Sequence, residues 1–502
     1  MTHARRTGPD CCGAEAAESS GRCPLLGRRQ FLARVGAAGG ALLALRSGLL
    51  QASARRVLGA PMVPGDGEQK PRIMVGFARP DVERYLLSPG AGFPLDENQQ
   101  LFTRILTKAA EDLGVTLDIE PKPLVDNNAM DAFLEERAAN ADGAILTQMG
   151  RSRRRAAVAH FLQARPDELP TVVFGPQGTR TWLVDRAPRS FIGTTDDADW
   201  LATALRTLKA RWQMANTRLA VIAGDDEREE VLEPLGTVIH RMPLEWLEQA
   251  MRDAEGSEEA HEIAARCIEN AEEIVEPSEA EILKAAENYV ANRRLMAETG
   301  AHAVTTDCLG LVRRGDGSDV QCLAYCLLLD EGTCGACEMD IYPAMALMLS
   351  SYLLGRPGFM SNPAIHTVTN EYVQSHCQVP TRMDGFDEPP HPYRIRPHHE
   401  TQQGVTLQID FRENQPATLL RFLSPGVLGV DTGVIRRSMR PEHHEDGIGG
   451  CQNGFSVAVD GLDDVRNFSR HSHPVMVYGT HRETLRAWCE VAGIDLQGIV
   501  VT

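Results

Sequence analysis

Two carboxylates stand directly before an apolar run in Cys337-Glu338-Met339-Asp340-Ile341-Tyr342-Pro343-Ala344-Met345, and the same half of the chain carries Asp307, His376 and His473. Carboxylate oxygens together with a neutral imidazole suit a divalent cation such as Mn²⁺ or Mg²⁺, whereas a thiolate-rich set suits zinc. The pattern therefore points to a metal-dependent enzyme. Taken singly, each residue has a plainer role. A carboxylate before a helix is often only a cap; Asp307 alone would serve as a turn residue and His473 as a satisfied polar group in a sheet. The joint pattern carries the reading.

Such a kit is suited to moving a carbonyl between C1 and C2 of a sugar. That reaction needs a base for a carbon-bound proton and an electrophile to stabilise the enediolate that results. A divalent ion held by carboxylates and an imidazole supplies the electrophile, and a neighbouring carboxylate shuttles the proton.

The elements that must position these residues follow from periodicity. Apolar β-rich runs alternate with amphipathic helical ones from Pro71 onward: strands at 72–77, 115–119, 143–147 and 171–174, with helices at 99–113, 129–138 and 154–164. Alternation at this spacing predicts α/β architecture with a parallel, doubly wound sheet over residues 70–215, which binds ligands at the carboxyl ends of its strands. A second such domain spans 216–378. It opens with the strand at 219–223, continues through a charged, Glu- and Ala-rich helical region to Met296, and delivers Asp307 at the end of a strand over 303–306. A helix over 341–354, stopped by Gly355-Arg356-Pro357-Gly358, places Asp340 at a helix start, where backbone donors favour an anion. Beyond Pro380, Pro- and His-rich turns separate short strands, so 379–502 reads as a β-rich, barrel-like domain.

A chain of 502 residues that is 43% hydrophobic and 24% charged can bury two or three cores. Its formal charge of -18 argues against a nucleic-acid partner, since phosphates are held by an excess of Lys and Arg. Residues 1–60 read as an address: Arg28-Arg29-Gln30-Phe31-Leu32 has the twin-arginine pattern, followed by a mildly apolar stretch and the small-residue site Ala52-Ser53-Ala54. That stretch is too short and too rich in Gly and Ala to span a bilayer, so the mature protein is expected to be exported by this route, to a periplasmic or other extracytoplasmic location, without a membrane span. A basic arm on a cytosolic enzyme is the rival reading. Of the twelve cysteines nine follow this segment, an odd count that rules out a fully paired framework. Cys334 and Cys337 have redox or zinc spacing, but no matching pair accompanies them, and small buried residues near a site are the better account.

Residues 304–376 and the tail from His471 to Val501 resemble the L-fucose isomerase and L-arabinose isomerase superfamily, especially its exported branch. Glu338-Met339-Asp340-Ile341-Tyr342-Pro343-Ala344 looks like the segment carrying one acidic Mn²⁺ ligand, matching Asp340, and His473-Pro474-Val475-Met476-Val477-Tyr478 is similar to the segment whose histidine completes the site. By this resemblance Asp307, Asp340 and His473 hold the metal, with Asp307 and Asp340 also catalytic, while His376 and Glu338 meet the substrate; His398 lines the cleft with them or merely flanks a turn. Asp307 is a methylene shorter than the family's usual Glu, and Glu338 is the alternative first ligand. The resemblance implies a metal-dependent aldose–ketose isomerase acting on a small sugar, with α/β domains before a β-rich one and a homo-oligomeric assembly. The competing class is an exported, non-catalytic sugar-binding protein of two α/β lobes.

Overall fold

The computed structural model describes residues 69–315, 319–441, 451–468 and 471–499, and the expected twin-arginine segment lies outside them. The chain is a mixed α/β protein with a five-stranded parallel sheet and a curled antiparallel sheet, half a barrel, near the C-terminus.

The parallel sheet is built from β1 (Arg72–Ala78), α1 (Leu95–Leu113), β2 (Thr116–Ile119), α2 (Asn127–Arg137), β3 (Gly143–Gln148), α3 (Ser152–Ala164), β4 (Thr171–Gly175), β5 (Ser190–Thr194) and α4 (Trp200–Ala215). The strands lie in the order β2-β1-β3-β4-β5, every pair parallel. Strands β1, β3 and β4 are near-continuous apolar runs because helices cover both faces. Ile73, Val75 and Phe77 pack with Phe102 of α1 and Leu205 of α4, whereas Met74 and Ala78 pack with Phe133 of α2 and Phe161 of α3. Asp126 starts α2 by accepting from Ala129 N.

The next unit comprises β6 (Arg218–Ile222), β7 (Arg228–Leu232), β8 (Thr237–Met242), α5 (Leu244–Ala254), α6 (Glu258–Asn270), α7 (Glu279–Thr299), β9 (Ala303–Thr306), α8 (Cys308–Arg314), α9 (Cys322–Asp330), β10 (Cys334–Ala336) and α10 (Ile341–Leu349). Its sheet runs β10-β9-β6-β8-β7, parallel except for β7 at the edge. The strands β7 and β8 lie within the region read as charged and helical. Helix α7 begins on a reciprocal capping box, Ser278 with Glu281, worth about 1 kcal/mol. Helix α10 is buried over Pro343–Leu349 and continues as a π-helical turn, Ser350–Leu354, to Gly355 in the left-handed region at φ 65°.

The antiparallel sheet takes β11 (Phe359–Met360), β12 (Asn362–His366), β13 (Glu371–His376), β14 (Pro416–Ser424), β15 (Val427–Met439), β16 (Asn453–Val459) and β17 (Val475–Tyr478) in the order β11-β17-β14-β15-β16-β13-β12. Its first strands thus lie upstream of residue 379, where the sequence reading begins the β-rich domain. Register shifts at Phe422/Ser424 and Ile435/Arg437 mark β-bulges, which bend and twist a sheet toward closure. Helix α11 (Arg482–Ala492) then leaves the sheet, and the chain returns as β18 (Asp495–Gln497) alongside β15. Ala487 and Val491 of α11 belong to the core of the first parallel sheet, so this helix staples the antiparallel sheet to it.

Gly433 shows how close the strands of this sheet come. A Cβ there would stand 2.4 Å from the Ala458 carbonyl oxygen and 3.1 Å from Val459 Cα, backbone that cannot swing away. Gly433→Ala is therefore expected to cost about 1–3 kcal/mol, read as a lowered denaturant midpoint; an unchanged midpoint would contradict that packing.

Candidate metal centre

Three segments meet at the carboxyl end of β10. The turn from β10 into α10 carries Glu338; β13 ends on His376; His473 stands two residues before β17. The Met339 N–H donates to the Thr306 carbonyl at 3.0 Å, tying this turn to the end of β9. Glu338 and Met339 have φ of 61° and 48°, and His473 of 53°. Left-handed backbone in non-glycine residues costs of order 1–3 kcal/mol each, and such strain clusters at functional sites.

Glu338, His376 and His473 each present one ligand atom, and these atoms all lie within 4.8 Å of one another. Glu338 Oε2 is 3.3 Å from His473 Nε2. Glu338 Oε1 is 3.7 Å from His376 Nε2, and that second distance is beyond hydrogen-bond reach. The imidazole rings meet edge to face with centroids 5.8 Å apart. Both nitrogens of His376 and Nε2 of His473 are buried without a hydrogen-bond partner. Buried polar atoms left unpaired cost about 1–3 kcal/mol each, so orphans converging on a carboxylate mark a position for a ligand. This cluster can bind a metal ion.

Asp340 supports the centre from behind. Its Oδ2 lies 3.0 Å from His473 Nδ1, with both terminal nitrogens of Arg421, on β14, at 3.4 Å and Ser472 Oγ at 3.4 Å. A carboxylate on the far nitrogen of a ligating imidazole fixes its tautomer and raises its basicity. Arg421 also donates to the His473 carbonyl at 3.3 Å, holding the strained residue in place. Burial works to lower the His473 pKa, but Asp340 and Glu338 overcome it and push the group up to about 9. The imidazoles of His376 and His473 hold the Glu338 carboxyl well below the usual carboxylate range against its burial. Burial likewise works to raise the Asp340 carboxyl, and His473 and Arg421 keep it below its ordinary value.

Neither aspartate read as a metal ligand is among the gathered ligand atoms, which come from Glu338, His376 and His473. Asp340 occupies the N-cap of α10 yet makes no capping bond, its carboxylate being turned to His473. Asp307, read as a ligand, is the N-cap of α8: its Oδ1 accepts from Gly310 N at 2.8 Å and lies 3.9 Å from Arg313. His376, read as a substrate contact, stands among the gathered ligand atoms with Glu338. His398, read as a substrate contact, has Nδ1 3.2 Å from Thr401 Oγ1 and is not among the gathered ligand atoms. Sequence reasoning missed Arg421, whose signal is faint: a lone arginine within the apolar strand β14, 6% exposed.

Two outcomes follow from this geometry. Asp340→Asn is expected to lower divalent-metal affinity about 10–100-fold with the fold retained, because it removes the orienting charge and no core contact; titration with Mn²⁺ checks it, and parent affinity would contradict it. Because a ligating imidazole must be neutral, cation uptake has to displace the His473 proton. Affinity should therefore rise as pH approaches 9, by up to about tenfold per unit, and a flat profile between pH 7 and 9 would count against His473 as a ligand.

A groove of about 640 Å³, lined by residues that include Leu101, Arg104, Leu353 and His481, contains none of the three cluster residues. No helix among the described residues is long and apolar enough to cross a membrane. No protein-family model matches the chain, and no curated protein is similar to it in sequence.

Proposed function

We propose that this chain is a metal-dependent sugar isomerase that interconverts an aldose and a ketose through an enediolate, with Glu338, His376 and His473 holding a Mn²⁺ or another divalent cation. The observation that carries the reading is the set of orphaned, buried imidazole nitrogens aimed at one carboxylate. Supporting it are the resemblance of the Glu338–Ala344 and His473–Tyr478 segments to the L-fucose and L-arabinose isomerases and the chain order of α/β sheets before a β-rich one. In this reading both α/β units are doubly wound, the leader is a twin-arginine export signal to the periplasm, and the working form is a homo-oligomer.

The protein's own groups have defined tasks. The bound cation supplies the electrophile that polarises a carbonyl and its neighbouring hydroxyl. Asp340 and Arg421 fix His473, which keeps Nε2 turned to Glu338. The carboxylate of Glu338 stays ionised across the neutral range and supplies an oxygen donor. Asp307, at the end of the strand beside this turn, is the carboxylate assigned to carry the proton between C1 and C2, with its capping bond to Gly310 setting its orientation.

The competing reading, a non-catalytic exported sugar-binding protein, needs no cation. A panel of pentoses and deoxyhexoses incubated with Mn²⁺-loaded protein separates the two. Conversion of an aldose to its ketose, abolished by chelation and restored by Mn²⁺, is the expected result. Sugar binding by metal-free protein with no conversion under any condition would replace the isomerase by the receptor.

A further inference from the structure

Away from the metal centre, a groove of about 640 Å³ runs between one face of α1 and the turns of α4 that hold Ala202 and Arg206; the π-helical turn after α10 and the approach to α11 complete its walls. That volume lies within the ~300–1,000 Å³ of small-molecule sites. Leu101 and Ile105 of α1 line it together with Leu353 and Leu354 of the π-helical turn. Leu101 is among the large apolar side chains left exposed, whereas Leu353 is buried, so the apolar lining runs from the surface inward.

The charges of the lining do not cancel. Arg104, Lys108 and Arg206 stand against Asp112 and Asp199, three cations to two carboxylates, which leaves one positive charge in excess on a chain whose formal charge is -18. Lys108 Nζ is 3.0 Å from Asp112, and Asp199 stands at the N-cap of α4, where the helix dipole favours an anion. The two arginines are left over. Neither Arg104 nor Arg206 makes an ion pair or hydrogen bond among the described residues. The Arg206 guanidinium packs over Gly355, where a Cβ would stand 2.7 Å from Nη1, so the absence of a side chain there gives the cation its place. His481 donates from Nε2 to the Tyr478 carbonyl at 2.8 Å, and burial lowers its pKa, so it adds no charge at neutral pH.

We propose that this groove binds a monocarboxylate with an apolar body, of the kind a medium-chain fatty acid presents, its chain against the leucines and its carboxylate between Arg104 and Arg206. A guanidinium matches a carboxylate in geometry as well as in charge, and it gives up little hydration in doing so. Each half of the lining excludes a simpler ligand. An inorganic anion has no use for the leucines, and a neutral apolar molecule has none for two unpaired arginines. The groove contains none of Glu338, His376 and His473, so the proposal stands or falls apart from the metal centre and from the isomerase.

The test is calorimetric titration of the folded full-length protein with sodium decanoate below its micelle-forming concentration, beside decan-1-ol and sodium acetate. Saturable binding of one decanoate per chain is expected, with decanol at least about tenfold weaker and acetate neither binding nor competing. Arg104→Gln and Arg206→Gln should each weaken decanoate about tenfold or more, as loss of a hydrogen bond to a charged group does, with the melting temperature and the Mn²⁺ affinity of the parent retained. Leu101→Asp, a change at an exposed position, should weaken it through the other half of the lining. No saturable binding of decanoate, equal binding of decanol, equal binding of acetate, or parent affinity in both arginine variants would each overturn the proposal. A protein that takes no decanoate and sediments as a dimer, with Leu101→Asp returning the monomer, would give the groove to a second copy of the chain instead.

Discussion

Glu338→Gln is expected to cost more than about 100-fold in divalent-metal affinity, past the upper end of what loss of a merely supporting partner costs. The substitution keeps the volume and removes the charge at the one carboxylate that faces both imidazoles. It leaves the buried nitrogens of His376 and His473 no anionic co-ligand, so any cation would have to neutralise its charge on neutral donors alone. The fold should be little affected, because the Glu338 side chain is partly exposed and fills no core position. Calorimetric titration of parent and variant with Mn²⁺, read beside their melting temperatures, checks both halves. Parent-like affinity in the variant would remove Glu338 from the centre. On the proposed function, aldose–ketose conversion should vanish with the metal.

Trp488→Ala is the substitution expected to damage the fold most. Trp488 is fully buried at the heart of α11, with its ring 6.3 Å from that of Phe422 on β14. The same helix sends Ala487 and Val491 into the N-terminal core, and Arg486 lies over the Phe191 ring at 5.2 Å. Truncating the indole opens a cavity where two cores join, at a cost of about 3–5 kcal/mol. Denaturant unfolding should show the midpoint drop without a change of slope. A loss under about 1 kcal/mol would mean that α11 is not the staple described here. Because His473 stands two residues before β17, which leads into this helix, the variant also tests whether the centre depends on that docking.

The fold was legible wherever periodicity was strong. Strands such as Gly143–Gln148 and Val475–Tyr478 are apolar runs bounded by turn residues, and both are strands in the structure. The strand Arg228–Leu232 was invisible because it is a charged edge strand: Glu230 pairs with Arg241 and Glu229 with Arg218, so its side chains answer to ion pairs and solvent and not to a core. The register of the antiparallel sheet was equally hidden, since β13 and β16 are joined by contacts far apart in sequence.

At the site, residue types were legible and their parts were not. Glu338 and Asp340 are two positions apart, and which of them faces the imidazole nitrogens depends on left-handed backbone at Glu338 and Met339, a conformation that neither residue type favours. Asp307 and Asp340 are both helix N-caps, and nothing local tells which carboxylate bonds its own helix and which turns to a histidine arriving from the far end of the chain. His376 reads as a polar residue ending a strand; only the fold, by setting β13 beside the turn after β10, buries both its nitrogens without a hydrogen-bond partner.

The most direct measurement is anomalous diffraction from a crystal of the protein soaked in Mn²⁺. The account predicts one strong peak in contact with the Glu338 carboxylate and with one nitrogen each of His376 and His473, and with Asp340 behind His473. A map with no peak between these three side chains, or with the ion seated on a different set of ligands, would contradict it.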